Sequence, residues 1–276
     1  MYATAVRAIV LVMFLSPAGL YAQASGTLLT FPETFRQSGN MERDRIFTDY
    51  GNLYNQNNAK NFCVALLGAG LLANTRIDGN FQHWHSKNIN SGFSHELSEF
   101  SKVFGEGYIF VPVMVTSAAV YRFRQERRGA PNYPLGDFTD RTFRGYLVGA
   151  PTLFVFQSLL GADRPRNGGS DWRPLRHAHG VSGHAFMGAI PFITAAQMTD
   201  KLIVKGLFYT LSTFCAWSRV NDDAHYLSQV ALGWYLAYLS VRAVSETESR
   251  RPLPKGLTIF PVVEVGAVGI GVYYQH

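Results

Sequence analysis

The sequence predicts an all-α helical bundle with a short strand-like tail at its C-terminal end. Three observations lead there. Long apolar stretches recur at helical length, separated by polar, turn-rich segments. Only 16% of the 276 residues are charged against 47% hydrophobic, well below the usual charged share of about 25%. Finally, the Val/Ile-rich, Gly-broken pattern that reads as strand is confined to the last twenty or so residues, LTIFPVVEVGAVGIGVYYQH. A mean hydropathy of +0.00 argues against a chain made mostly of membrane-spanning helices. The length suits one domain of ordinary size with a real core.

The elements follow in order. Residues 1–24 carry Arg7, an apolar run from Ala8 to Leu15, a breaking Ser16-Pro17 and Ala22-Gln23-Ala24, the layout of a secretory signal peptide. The alternative is an N-terminal anchor. Residues 25–57 form a polar, loop-like extension, and the main domain is expected over 58–245, with 246–276 as the tail. Within the domain, Ala59–Ala73 (AKNFCVALLGAGLLA) is an apolar helix, and 75–95 a loop with a short helical piece. Glu96–Phe104 is amphipathic with Leu97, Phe100, Val103 and Phe104 on one face. A helix at Gly107–Phe123 contains Pro112, and 124–138 is basic and turn-rich. Another helix runs from about Asp140 to Leu160, where Gly161 ends it. After a long Gly- and Arg-rich loop, helical stretches follow at about 184–199, 201–217 and 224–244. Most of their apolar cores fall short of the roughly 20 residues a membrane span needs.

The net charge of +6, lowered by one if Arg7 leaves with the leader, suits anionic substrates or anionic lipid surfaces and is no nucleic-acid signature. Cys63 and Cys215 both lie in apolar runs, where a free buried thiol is the expectation, although an exported protein would permit a disulfide.

Three segments carry the chemistry: QSLLGADRP (157–165), VSGH (181–184) and SRVNDDAHYLSQ (218–229). Arg164 opens a loop that Pro165 prevents from continuing as helix. Ser182 is a natural N-cap before an apolar helix, Gly183 permits close approach of backbone to a ligand, and free N–H groups at a helix start favour an anion. His184 falls on the first turn. Arg219 precedes a helix on which His225 and Gln229, four apart, share a face. Each piece alone is usually just a turn, a cap or a packed histidine. Together, two arginines with forked donors, a serine, a glycine N–H and two histidines make a site for a tetrahedral oxyanion.

In this order and spacing the segments resemble the type 2 phosphatidic acid phosphatase superfamily, which includes bacterial acid phosphatases and vanadium haloperoxidases. Arg164-Pro165, Ser182-Gly183-His184, Ser218-Arg219 and His225 match its pattern; the resemblance covers about residues 60–245 and implies a helical bundle of the acid phosphatase/vanadium haloperoxidase type with the site at one end. It also implies roles. His225 is the nucleophile and His184 the proton donor. Arg164, Arg219, Ser182 and Gly183 hold the phosphate, and no cofactor or metal is required. Three positions depart from the pattern. Gln157 stands where it has lysine, Val181 where it has proline, and Gln229 where it has aspartate. Gln157 is placed with the phosphate-binding set; Gln229, His179 and Arg176 are placed around it as orienting residues. A glutamine accepts the imidazole Nδ1–H and fixes its orientation but supplies no charge. Asp222 or Asp223 is a conceivable substitute, and Arg166, Arg173, Arg176, His177 or His179 could replace the missing lysine charge.

The expected function is therefore hydrolysis of a lipid or soluble phosphomonoester by an exported protein, periplasmic or membrane-associated, with no nucleic-acid partner. Two alternatives stand beside it: a phosphate- or lipid-phosphate-binding protein without turnover, and a haloperoxidase carrying vanadate in the same cradle. Oligomeric state is open. The pairs His83-x-His85 and His177-x-His179 lack a companion set of ligands at familiar metal spacing, and His83 and His85 are expected in a surface loop.

Overall fold

The computed structural model describes residues 33–128, 134–249, 256–264 and 267–275. The expected signal peptide lies outside them. Two compact units divide at Glu42: residues 1–42, described only as the start of the first helix, and residues 43–276, described below.

Helices dominate, as the apolar periodicity requires: α1 Glu33–Leu53, α2 Gln56–Ala73, α3 Ile77–Asn88, α4 Gly92–Lys102, α5 Gly107–Arg128, α6 Pro134–Leu160, α7 Gly183–Gln197, α8 Leu202–Ser212, α9 Phe214–Asn221 and α10 Leu227–Ser249. The tail is an antiparallel hairpin, β1 Gly256–Glu264 against β2 Ala267–Gln275, registered from Gly256↔Gln275 to Glu264↔Ala267.

Helix α7 is the centre of the bundle. Ala185, Phe186, Ala189, Ile190 and Ile193 are fully buried on it, as befits a helix apolar on most sides. α6, α8 and α10 pack around it. Small residues set the close approach: a Cβ on Gly149 of α6 would meet Ser240 Oγ at 2.3 Å and the Phe186 ring at 2.6 Å.

Several expectations are corrected. The extension read as loop-like over 25–57 contains helix α1 over 33–53. Apart from Leu53 its buried stripe is polar, so apolar periodicity does not reveal it. Arg45 bonds Asp140 at 3.1 Å and Glu248 at 2.5 Å, and Asn52 donates to the Ala243 carbonyl. Fully buried Arg144 of α6 holds Asp49 through two bonds of 2.6 and 2.7 Å and Glu248 at 2.5 Å. The amphipathic stretch at Glu96–Phe104 is helical as α4, yet faces the other way. Ser94, Ser98 and Ser101 are buried while Phe100 is 66% exposed. The cause is polar packing on α9, where Ser98 Oγ bonds both the Ser218 carbonyl and Asp222. His83 and His85 lie on helix α3, not in a loop; His83 is exposed and His85 buried. The stretch 201–217 divides into α8 and α9 at Thr213. Cys63 and Cys215 are free thiols as expected, but Cys63 is exposed where a buried thiol was expected; Cys215 is buried.

Among the described residues one segment, Pro134–Asn167, with a mean hydropathy of 1.3 in its most apolar window, is long and apolar enough to cross a membrane; 44% of that window is buried in the fold. A bent pair, 92–105 with 110–120, passes the same test if counted as one span.

Candidate active site

The three segments come together where α6 ends and α7 and α10 begin. Gly161 closes α6 in the left-handed region at φ 62°, where a Cβ would fall 1.9 Å from the Arg173 carbonyl oxygen; only glycine fits. The loop it opens is tied down along its length. Ser170 Oγ bonds the Ala73 carbonyl, Trp172 N donates to Asn74 Oδ1, and Leu175 N donates to the Ser158 carbonyl. The Asp163 carboxylate accepts from Arg164 N at 2.8 Å and Asn167 Nδ2 at 2.9 Å, fixing the turn that presents Arg164. Arg164 is half-buried, and its Nε is buried without an acceptor.

Ser182 caps α7 as expected, its Oγ accepting from Ala185 N. That bond uses the oxygen as acceptor and leaves the hydroxyl hydrogen to donate elsewhere. The cap is also held from α10, because Ser182 N donates to the Gln229 carbonyl at 3.0 Å. Gln157 does not project free. Its Nε2 donates to the Val181 carbonyl at 3.2 Å and lies the same distance from the Cβ position on Gly183, so it braces the loop directly before the cap.

Arg219 lies within the last turn of α9, ahead of α10, and is 8% exposed. Its guanidinium donates to Asp222 at 2.5 Å, and Asp222 in turn accepts from Ser98. Asp223 accepts from Gln82 and Ser86. Both aspartates are thus engaged away from His225. The Nδ1 partner of His225 is Gln229 Oε1, at 2.8 Å. The two are joined across a turn, since His225 precedes the first residue of α10.

The orientation of the Gln229 amide follows from its other bonds. Its Nε2 donates to the Asp163 carbonyl at 2.7 Å, and its Oε1 also accepts from Tyr226 N at 3.1 Å. A carbonyl oxygen takes only a donor, so Nε2 faces Asp163 and Oε1 faces the histidine. Nδ1 of His225 therefore carries the hydrogen, and Nε2 keeps the free lone pair. Asp78 anchors the other side of the segment. Fully buried, it accepts from Ser228 N at 3.1 Å and Ser228 Oγ at 2.5 Å at the start of α10.

The electrostatics join these groups into one site. Burial pushes His225 down to about 3, with the positive fields of Arg164, His179 and His184 adding to it and the Gln229 bond opposing. Burial likewise pushes His184 down to about 4, helped by Arg219, Arg164 and Lys102 and opposed by Glu106. Arg164 is lowered first by burial, then by Arg166 and Arg219. His179 is lowered by burial and by Arg164, and its ring stands edge-on to that of His225 with centroids 6.2 Å apart. A cluster of cations and neutral imidazoles that destabilise one another's positive charge is a site arranged for an anion.

Not every sequence candidate joins it. Arg176 is exposed and enters none of the site's described hydrogen bonds. His177 pairs with Asp163 at 3.7 Å. Three residues had no sequence signal. Asp163 offers the backbone carbonyl that orients Gln229. Glu106 and Lys102 reach His184 electrostatically from the α4–α5 junction. There Gly105 lies so close that a Cβ would come within 2.7 Å of the His184 carbonyl oxygen. Among the described residues no group of three or more His, Cys, Asp or Glu could hold a metal ion.

Residues 138–252 match the family model described as the PAP2 superfamily. The match supports assigning the helical domain built from this segment to that superfamily, the type 2 phosphatidic acid phosphatases, and with it a function of the phosphatase type. No curated protein and no solved structure matches the chain.

Proposed function

We propose that this protein is an exported, metal-independent phosphomonoesterase working through a phosphohistidine at His225. The observation that best supports it is the three-bond clamp on Gln229, which presents His225 Nε2 as a lone pair beside Arg164, whose buried Nε lacks an acceptor.

In the first step Nε2 of His225 attacks phosphorus and the P–O ester bond breaks. The departing oxygen takes the proton from His184. In the second step His184 takes a proton from water, the hydroxide attacks phosphorus and the P–N bond breaks. Phosphate leaves and both imidazoles return to their starting states. Arg164, Arg219, the Ser182 hydroxyl and the Gly183 N–H stabilise charge on the equatorial oxygens. The dianionic substrate also raises the pKa of His184 in the complex, since an opposite charge favours the protonated form.

A lipid phosphate is within this reading. At the start of α8, Leu202 is 83% and Ile203 88% exposed, beside Lys201, a composition suited to an anionic membrane surface. The test is a panel of lipid and soluble phosphomonoesters on wild type and His225→Ala, with isotopic phosphate trapping of the intermediate. Loss of turnover and of the acid-labile label in the variant is expected. Near-wild-type turnover in His225→Ala would overturn the proposal. Tight phosphate binding with no turnover in the wild type would point instead to an anion-binding protein, and halide oxidation dependent on added vanadate to a haloperoxidase.

A further inference from the structure

The phosphate cradle is short of positive charge. A phosphomonoester dianion brings two negative charges to it. Arg164 offers a buried Nε without an acceptor, whereas Arg219 already holds Asp222 at 2.5 Å, a pair with no net charge. Gln157 is neutral and gives its amide hydrogen to the Val181 carbonyl. One further cation would balance the dianion.

Helix α4 brings one. Its buried face runs along the site and is anchored at two points. Ser98 Oγ bonds the Ser218 carbonyl and Asp222, which flank Arg219. Gly105, just past the helix end, lies where a Cβ would come within 2.7 Å of the His184 carbonyl oxygen and 3.0 Å of its Cα. Lys102 stands between these anchors. Four residues after Ser98, it shares the same helix face, and its side chain is only 27% exposed. The electrostatics agree with that placement. His184, lowered chiefly by burial, is lowered further by Arg219, Arg164 and Lys102.

Lys102 Nζ donates to Glu99, three residues back. That bond holds the Glu99 carboxyl below its ordinary range, and the field of Arg219 adds to it. The other carboxylate acting on His184, Glu106, accepts from the Tyr108 hydroxyl. The Glu99 side chain is 47% exposed, so its carboxylate stays hydrated when the lysine leaves, and a pair this open to water is weakly held. A phosphate dianion in a partly enclosed site is the stronger partner for an ammonium on a flexible stem.

We propose that Lys102 is a substrate-binding residue of this site, its ammonium exchanging Glu99 for a phosphoryl oxygen and supplying the cation that Gln157 does not. Lys102 lies outside the residues 138–252 that match the family model. The proposal rests on the phosphatase reading for the position of the phosphate, and its test reads binding apart from turnover.

Inorganic phosphate is titrated calorimetrically into the full-length protein, with kcat and KM on para-nitrophenyl phosphate measured in parallel. Lys102→Met is expected to weaken phosphate about tenfold and to raise KM by a similar factor, with kcat near wild type, as loss of uniform binding requires. Lys102→Gln should repeat the loss and Lys102→Arg should recover most of it, all three with the wild-type melting temperature. Glu99→Gln releases the ammonium and should tighten phosphate severalfold, and by less in the Lys102→Met background. In about 0.5 M sodium chloride, where a distant field is screened within about 4 Å, the deficit of Lys102→Met should largely persist. Wild-type phosphate affinity in Lys102→Met and Lys102→Gln overturns the proposal, and a deficit that vanishes in salt overturns the direct contact. Phosphate binding without turnover in the wild type overturns the phosphatase reading and leaves the Lys102 measurement standing. A wild type that binds no phosphate overturns both.

Discussion

Gln229 accepts the Nδ1 hydrogen of His225 at 2.8 Å while giving its own amide hydrogen to the Asp163 carbonyl. This pair occupies the place of the histidine–aspartate pair of the superfamily pattern and performs half of its task. It selects the tautomer and fixes the ring; in the proposed mechanism it supplies no charge to the imidazole as that ring is phosphorylated. Gln229→Leu removes the orientation and is expected to lower kcat/KM on the order of a hundredfold. Gln229→Glu restores the charge but turns the atom facing Asp163 from donor to acceptor. That variant is expected to raise the His225 pKa, measured by NMR titration of the ring, and to lose thermal stability through carboxylate–carbonyl repulsion.

The depressed histidines set the direction of acid sensitivity. In the unfolded chain both protonate near the ordinary value of about 6.5. Folded, His225 resists protonation down to about 3 and His184 down to about 4. Below pH about 6.5 the unfolded chain binds protons that the native chain refuses, so stability falls as pH falls toward those values; above it, these groups contribute no pH dependence. Denaturant unfolding from pH 7 to pH 5 is expected to show a loss of about 1–2 kcal/mol per histidine. His184→Asn and His225→Asn should each flatten that slope.

The Arg144 cluster tests the remote scaffold. Arg144→Met leaves Asp49 buried opposite an apolar chain, without its two guanidinium bonds and with the weaker field of Arg45 in their place. A loss of about 3–5 kcal/mol is expected in denaturant unfolding. The double change Arg144→Met with Asp49→Leu should recover much of it, because the cost lies in the orphaned charge.

Gly161→Ala places a methyl against the Arg173 carbonyl in a backbone region that L-residues avoid. A destabilisation of at least about 1–3 kcal/mol is expected. Because Arg164 lies three residues on, kcat/KM on a soluble phosphomonoester should fall more than stability alone explains, measured where the variant is fully folded.

Apolar helices were legible because burial leaves its period in the residue types: α2, α5, α6, α7 and α10 all stand near their expected places. Two helical faces were misread for one reason. The stripe of α1 that docks on α6 and α10 contains Arg45, Asp49 and Asn52, and the buried stripe of α4 contains Ser94, Ser98 and Ser101. Polar side chains satisfied by bonds to other helices look, in one dimension, like solvent-facing ones. The residues proposed as catalytic were legible as candidates because their types are costly to gather for any other purpose. What escaped were groups acting through the backbone or across long separations. Asp163 contributes a carbonyl that every residue possesses, and Glu106 reaches His184 from 78 positions away.

The bond from Gln229 to the Asp163 carbonyl also makes an interlock. Asp163 stands next to Arg164 on the loop, so that loop cannot swing outward without pulling away the oxygen that holds the glutamine amide in place. An outward swing would therefore take away one of the three bonds that hold the glutamine amide, so that in the proposed mechanism the aim of His225 is tied to the position of the loop that carries Arg164.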